Sequence, residues 1–339
     1  NILEPNLLRK TAEDILRKAP PPPLSDANSS MERRPDEGMN ALIAREYVPV
    51  QLWHDTTMKS VGENAIQVAH SMVQAAQQAG LVAAGTITFT MKAQIVKSPL
   101  GLCAFGEETD AEVTMTARSR DGTASGWFGE VHRDWAQVNT DRVIENALRI
   151  SQQSRGAVGL EPGRRVAILS SFAVAQLLYP LMALFDSFPT NRGGTPFSMD
   201  DERRNRVGMK VFDERLHMQV DPQDPDGGYP PFVQPGMTGA GSTGIPVGKT
   251  VFVDQGVLKS LMYDVGEAAR EGHRPTGGFE PVRMQAAPGV TTTSLEEMIA
   301  QCEDGVYVNR LSDVSLVDGK TGLMTGVTRD GGFHIRKGK

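Results

Sequence analysis

Residues 166–185 read VAILSSFAVAQLLYPLMALF, twenty residues without a charge, and the way they divide decides the architecture. A membrane-spanning helix needs about 20 apolar residues. Here Ser170, Ser171, Gln176 and Pro180 interrupt the run, and the β-branched residues crowd its front. The stretch therefore parses as a buried strand over 165–169, followed by a helix that Ser170 or Ser171 N-caps. No basic-then-apolar leader opens the chain. A cytoplasmic protein without a membrane segment is expected.

Outward from this point the pattern alternates between helix and strand. Upstream, residues 140–154 are helical, with Val143, Ala147 and Ile150 in one stripe and Ile144 and Leu148 beside it. Residues 111–119 and 125–132 alternate around Asp121-Gly122, a hairpin signal. Thr86, Thr88, Thr90 and Lys92 oppose Ile87, Phe89, Met91 and Ala93, which describes a half-buried strand. Residues 59–79 and 5–19 read as helices, with a Pro/Ser/Asp-rich linker from Pro20 to Asn40.

Downstream, 208–220 reads as a strand. A long Pro/Gly/Asp loop covers 221–244. Residues 251–264 form a hairpin turned at Gln255-Gly256. Ser294-Leu295-Glu296-Glu297 is a capping box that opens a helix through Gln301. From Gly305 the pattern alternates to the end, with turns at Asp318-Gly319 and Asp330-Gly331.

The expected fold is α+β. N-terminal helices with an antiparallel sheet precede a β-rich C-terminal domain holding a buried helix. The expected domains are an N-terminal helix and linker over 1–40, an α+β middle domain over 41–160 and a β-rich domain over 161–339. Composition agrees: 39% hydrophobic and 22% charged residues suit a globular chain, and Gly 35 with Pro 21 suits many turns. A formal charge of -6 without a basic tract argues against nucleic acid. The two cysteines, Cys103 and Cys302, offer neither a disulfide framework nor a Cys-rich zinc site.

Short motifs supply little chemistry. Gly239–Gly244 matches G-x-G-x-x-G, but prolines flank it and a strand follows, so no helix N-terminus meets a pyrophosphate. Gly248-Lys249-Thr250 lacks the glycine that a phosphate loop requires at position 243. No G-x-S-x-G elbow occurs. The acidic run Asp221–Gly228 lacks the regular ligand spacing of a calcium loop. The six histidines include no H-E-x-x-H pair. His217 lies near Asp213 and Glu214, and together with the 221–228 loop it is the remaining set for an independent enzymatic site.

The order of segments in the second half is more specific. Gly244–Asp264 (GIPVGKTVFVDQGVLKSLMYD) is followed by Ala268-Ala269, Thr276-Gly277-Gly278, Pro288-Gly289, Ser294–Ile299 and Gly305-Val306-Tyr307-Val308. Upstream lie Ala83-Ala84-Gly85 through Gly126, and Glu161-Pro162-Gly163 to Leu178. Over residues 45–339 this resembles the TldD/PmbA family, also called modulators of DNA gyrase, which contains zinc metallopeptidases and their inactivated relatives. In TldD-type members the helix after the 166-like strand carries H-E-x-x-x-H. The matching positions here are Tyr179, Pro180 and Leu184, none a zinc ligand or general base.

The resemblance thus implies a PmbA/TldE-like chain that has no metal site of its own. Zinc is expected in a TldD-like partner subunit, and the pair processes or degrades peptides. Tyr179 and Met182 are candidate groove residues for an extended peptide. The resemblance leaves two other readings: a stand-alone peptide-binding homodimer without catalysis, and a metallopeptidase whose ligands lie outside this sequence, as in the family's continuation past Lys339.

Overall fold

The structure is a computed structural model that describes residues 10, 14, 47–97, 103–200, 204–224, 227–232, 248–276 and 282–339. Apart from Lys10 and Asp14, which are helical, the expected helix over 5–19 and the linker over 20–40 lie outside the described residues. So does the Gly239–Gly244 motif.

In chain order the described helices and strands begin with α1 (Asp55–Lys59), α2 (Glu63–Gln78), β1 (Leu81–Lys97), β2 (Cys103–Ser119), β3 (Ser125–His132) and α3 (Thr140–Gln153). Next are β4 (Val166–Leu169), α4 (Ser171–Ala183), α5 (Ser187–Thr190), β5 (Leu216–Val220), β6 (Thr250–Asp254) and β7 (Val257–Leu258). The series ends with α6 (Val265–Glu271), β8 (Arg283–Ala286), α7 (Leu295–Ala300), β9 (Asp304–Asp318) and β10 (Leu323–Arg336). Strand (37%) exceeds helix (26%), so the chain is α+β with the β bias that its turn-rich composition suggests. The described strands form three sheets, ordered β1-β2-β3, β10-β9-β4 and β7-β6-β5-β8.

The chain forms two compact units. One comprises Trp53–Thr90, Thr109–Ala183 and Thr291–Lys339. In it the sheet β1-β2-β3 carries Leu81, Val113, Met115 and Ala117 on the face that packs against Met72 and Ala76 of α2 and against Val143, Ile144 and Ala147 of α3. β2 and β3 pair antiparallel from Ala111↔His132 to Arg118↔Ser125. Asp121 and Gly122 turn the chain as expected: Gly122 has φ +73, and Asp121 Oδ1 accepts from Ser119 Oγ (2.6 Å) and Thr123 N (3.1 Å). Helix α3 lies so close to β3 that a Cβ on Gly126 would sit 2.2 Å from Ser151 N.

The same unit holds β10-β9-β4, in which β4 runs parallel to β9 (Val166↔Gly305 to Leu169↔Val308) and β10 antiparallel to it. The expected turn at Asp330-Gly331 is instead a bulge inside β10, between Arg329 and Gly332. Non-local contacts hold it. Asp330 Oδ1 accepts from Ser125 Oγ (2.9 Å), Asp330 O accepts from Asn309 Nδ2 (3.0 Å), and a Cβ on Gly331 would meet Ile150 at 2.6 Å. The capping box at Ser294 and Glu297 forms as read, at the start of α7.

The other unit comprises Asn1–Leu52, Met91–Glu108 and Leu184–Val290. Its sheet β7-β6-β5-β8 is antiparallel throughout its recorded pairs. Buried Phe185 meets Phe197 (4.8 Å between centroids) and Phe252 (5.6 Å) and stacks on Phe212. The hairpin turn at Gln255-Gly256 has φ +48 and +75, as the sequence suggests. The strand expected over 208–220 starts only at Leu216: Val211 and Phe212 both donate to Gly256 O, and a turn closes from Leu216 N to Asp213 O.

Candidate functional site

The apolar run divides at Ser170. Its Oγ accepts from Ala173 N (3.1 Å) and donates to Asn309 O, so the side chain caps α4 and ties its start to β9. Among the described residues no helix is long and apolar enough to cross a membrane. Phe172 plants the first turn of α4 edge-on against Trp127 (4.9 Å) and Phe128 (5.4 Å) of β3. Further along, Gln176 Oε1 accepts from Leu311 N of β9 (2.7 Å).

The helix expected to be buried is covered on most sides and exposed along one stripe, Ser171, Ala175, Tyr179 and Ala183. Ala173, Pro180 and Met182 are inside, whereas Tyr179 is 66% exposed. Helical spacing places Ala175 and Ala183, both exposed, one turn to either side of Tyr179. Met182 has no accessible surface, so of the two groove candidates only Tyr179 presents its side chain outward. Leu184, just past the helix, is also buried.

These positions do not fit a zinc ion. A zinc site takes three or four N, O or S donors at about 2.0–2.3 Å. Pro180 and Leu184 offer buried hydrocarbon, and Pro180 also lacks a backbone N–H. Among the described residues no three of His, Cys, Asp and Glu converge as a metal-binding group.

His217 does not meet its sequence neighbours. Asp213 is bound by Arg215 (2.8 Å) and Glu214 by Lys210. Instead β6 brings Asp254 Oδ1 to His217 Nδ1 (3.1 Å), and Gln219 Oε1 lies 3.1 Å from Nε2. Both ring nitrogens of this buried histidine are occupied, which suits a strand-linking role. In the 221–228 loop Asp221 engages Lys249 (3.3 Å) and Asp224 engages Arg283 (2.9 Å), so both carboxylates already have cationic partners. Asp226 lies outside the described residues.

One group has no sequence signal. Asp186 caps α5 through Phe188 N (2.9 Å), and Asp264 caps α6 through Glu267 N (2.7 Å). Glu267 itself is buried and bound by Arg192 (3.3 Å) and Arg270. Burial, and then the charges of Asp264 and Glu267, raise the Asp186 carboxyl above its ordinary value. With two guanidiniums on Glu267, its most deeply buried member, this cluster pins helices together.

A strand, a Ser-capped apolar helix and a long closing hairpin define an α+β chain whose distinctive element is α4. Residues 162–339 match the model of the PmbA/TldA metallopeptidase C-terminal domain. The chain belongs to the TldD/PmbA family.

Three solved structures share the fold. A protein assigned as a modulator of DNA gyrase from Bacteroides thetaiotaomicron aligns with TM-score 0.71 and 16% identity over 88% of this chain and 66% of its own. Another from Thermotoga maritima gives 0.70 and 17% over 87% and 68%. TldE from Thermococcus kodakarensis gives 0.64 and 19% over 91% and 70%. The chain thus spans about two thirds of these relatives' length. No curated protein matches it.

Proposed function

We propose that this chain is a PmbA/TldE-like, non-catalytic subunit of a cytoplasmic zinc metallopeptidase assembly. A TldD-like partner supplies the active site, and peptides are the substrate. The observation that carries this reading is the chemistry at the positions matching the metal motif: an exposed phenol at Tyr179, and buried hydrocarbon at Pro180 and Leu184. The residues here contribute surface instead. Tyr179 between two exposed alanines gives an aromatic platform on which an apolar peptide side chain can lie.

The test is peptide cleavage by a TldD-like subunit from the same organism, with and without this chain. Cleavage is expected only in the mixture and is expected to be chelator-sensitive. Tyr179→Asp should lower peptide retention without unfolding the chain; Met182→Asp would place a charge in the core and cannot serve as the probe. Peptide retention unchanged by Tyr179→Asp removes the platform. Chelator-sensitive cleavage by this chain alone overturns the reading.

A further inference from the structure

Between Gln153, the last residue of α3, and Val166, the first of β4, the chain makes no helix or strand. Every residue from Arg155 to Arg164 is exposed. Gly156, Gly159 and Gly163 have open space where a Cβ would lie. Among the described residues, no main-chain group pairs with a main-chain N–H of 156–164. The one hydrogen bond that reaches this stretch among them runs from Arg165 Nη2 to Glu161 O (3.1 Å).

Two hairpin turns of the same unit are stapled by comparison. Asp121 accepts from Ser119 and Thr123, and Asp318 accepts from Lys320 N (3.0 Å) and Thr321 Oγ1 (2.6 Å). Residues 156–164 lack such a hold, and they carry two apolar side chains in the open: Val158 is 73% exposed and Leu160 41%. An endopeptidase takes its substrate as an extended segment whose main chain pairs with the enzyme. Exposed loop tips with small residues are where folded proteins are nicked. A bonded segment must first open, and its cutting follows the population of the open form. The 156–164 stretch has almost nothing to open.

The structure assigns residues 156–164 as a site of limited proteolysis, cut at Gly159–Leu160 by an endopeptidase whose pocket takes an apolar side chain just after the scissile bond. Leu160 is that side chain. Gly156–Gly159 lead up to the bond and Leu160–Gly163 lead away from it, all outside regular structure. A cut beside Arg155 would run into the end of α3, and one beside Arg165 into β4, where Arg165 is also held by Asp304 (3.1 Å). The reaction is hydrolysis: water adds across the amide, Gly159 gains the carboxylate and Leu160 the amine, and nothing is oxidised or reduced. The two pieces stay assembled, because side-chain contacts cross the cut within each unit. In one, Phe172 lies edge-on to Trp127 and Phe128, Asn309 Nδ2 donates to Trp127 O (2.8 Å) and Ser125 Oγ donates to Asp330 Oδ1 (2.9 Å). In the other, Tyr47 meets Phe232 edge-on at 5.7 Å. The site lies outside α4 and stands or falls separately from the metallopeptidase reading.

The experiment is brief digestion of the full chain with thermolysin, a zinc endopeptidase that cleaves ahead of apolar residues, followed by intact mass measurement and N-terminal sequencing. Among the described residues the earliest new terminus should be Leu160. The two pieces should elute together on size exclusion, with the far-UV spectrum of the uncut chain. Val158→Ser/Leu160→Ser should slow this cut about tenfold or more, the usual loss when a pocket's apolar side chain is missing. Both side chains are exposed, so the denaturation midpoint of the variant should not move, which separates lost recognition from altered unfolding. An earliest cut at any other described position, pieces that separate, or a double variant cut as fast as the parent chain would overturn the assignment.

Discussion

Helices α3 and α4 are of nearly equal length and lie in the same unit, yet they satisfy opposite conditions. α3 is closed on its own terms. Asn139 caps it, Val143, Ile144, Ala147 and Ile150 face the core, and Asp141, Arg142, Glu145 and Arg149 face solvent. α4 has no charge at any position, and Ala175, Tyr179 and Ala183 still face outward. A helix that is apolar all round is normally covered on every side. The difference separates a helix whose outer face is charged from one whose exposed stripe carries no charge, the feature on which the proposed peptide platform rests.

Breaking the α3 side should produce the largest effect. Gly126→Ala drives a methyl into the α3 backbone at Ser151 and should cost ~3 kcal/mol or more, read by chemical denaturation. On α4, Phe172→Ala removes the ring wedged against Trp127 and Phe128 and should cost about 2 kcal/mol, since the site is only partly buried. Tyr179→Ala sharpens the contrast. Stability should shift by less than ~0.5 kcal/mol, as for exposed positions generally, while peptide retention falls. A destabilisation matching that of Phe172→Ala would show Tyr179 to be a packing residue.

The smallest effect is at the turn that feeds β3 beneath α3. Hydrogen bonds from Ser119 Oγ, and then from Thr123, lower the Asp121 carboxyl from 3.8 to about 2. A carboxylate with a depressed folded value stabilises the fold above its unfolded value of ~3.9, and that contribution is lost as pH falls towards the folded value. A carboxyl titration followed by NMR should therefore find the Asp121 midpoint near 2. Asp121→Asn should remove that part of the acid dependence. An unshifted midpoint would contradict the hydrogen-bonded turn.

The parts of the molecule that were legible in the sequence are those governed by short-range chemistry. Ser170 caps α4 three residues on, Asp121-Gly122 turns within four residues, and the Ser294–Glu297 box closes on itself. The same Asp-Gly pair at 330–331 misleads, because Ser125, Asn309 and Ile150 hold it as a bulge and all lie far away in the chain. His217 illustrates the same limit at a candidate site: its partner Asp254 comes from another strand, not from adjacent Asp213 or Glu214. Buried Glu267 gives no local sign that Arg192 will reach it. The Tyr179, Pro180 and Leu184 positions were identified through the family motif, and the structure adds which of them is exposed.

The most direct test of the central claim is the zinc content of the purified full-length chain by elemental analysis, with peptide cleavage measured on the same sample. The account predicts zinc far below one equivalent and no cleavage until a TldD-like subunit is added. One equivalent of zinc with chelator-sensitive cleavage by the chain alone would contradict it.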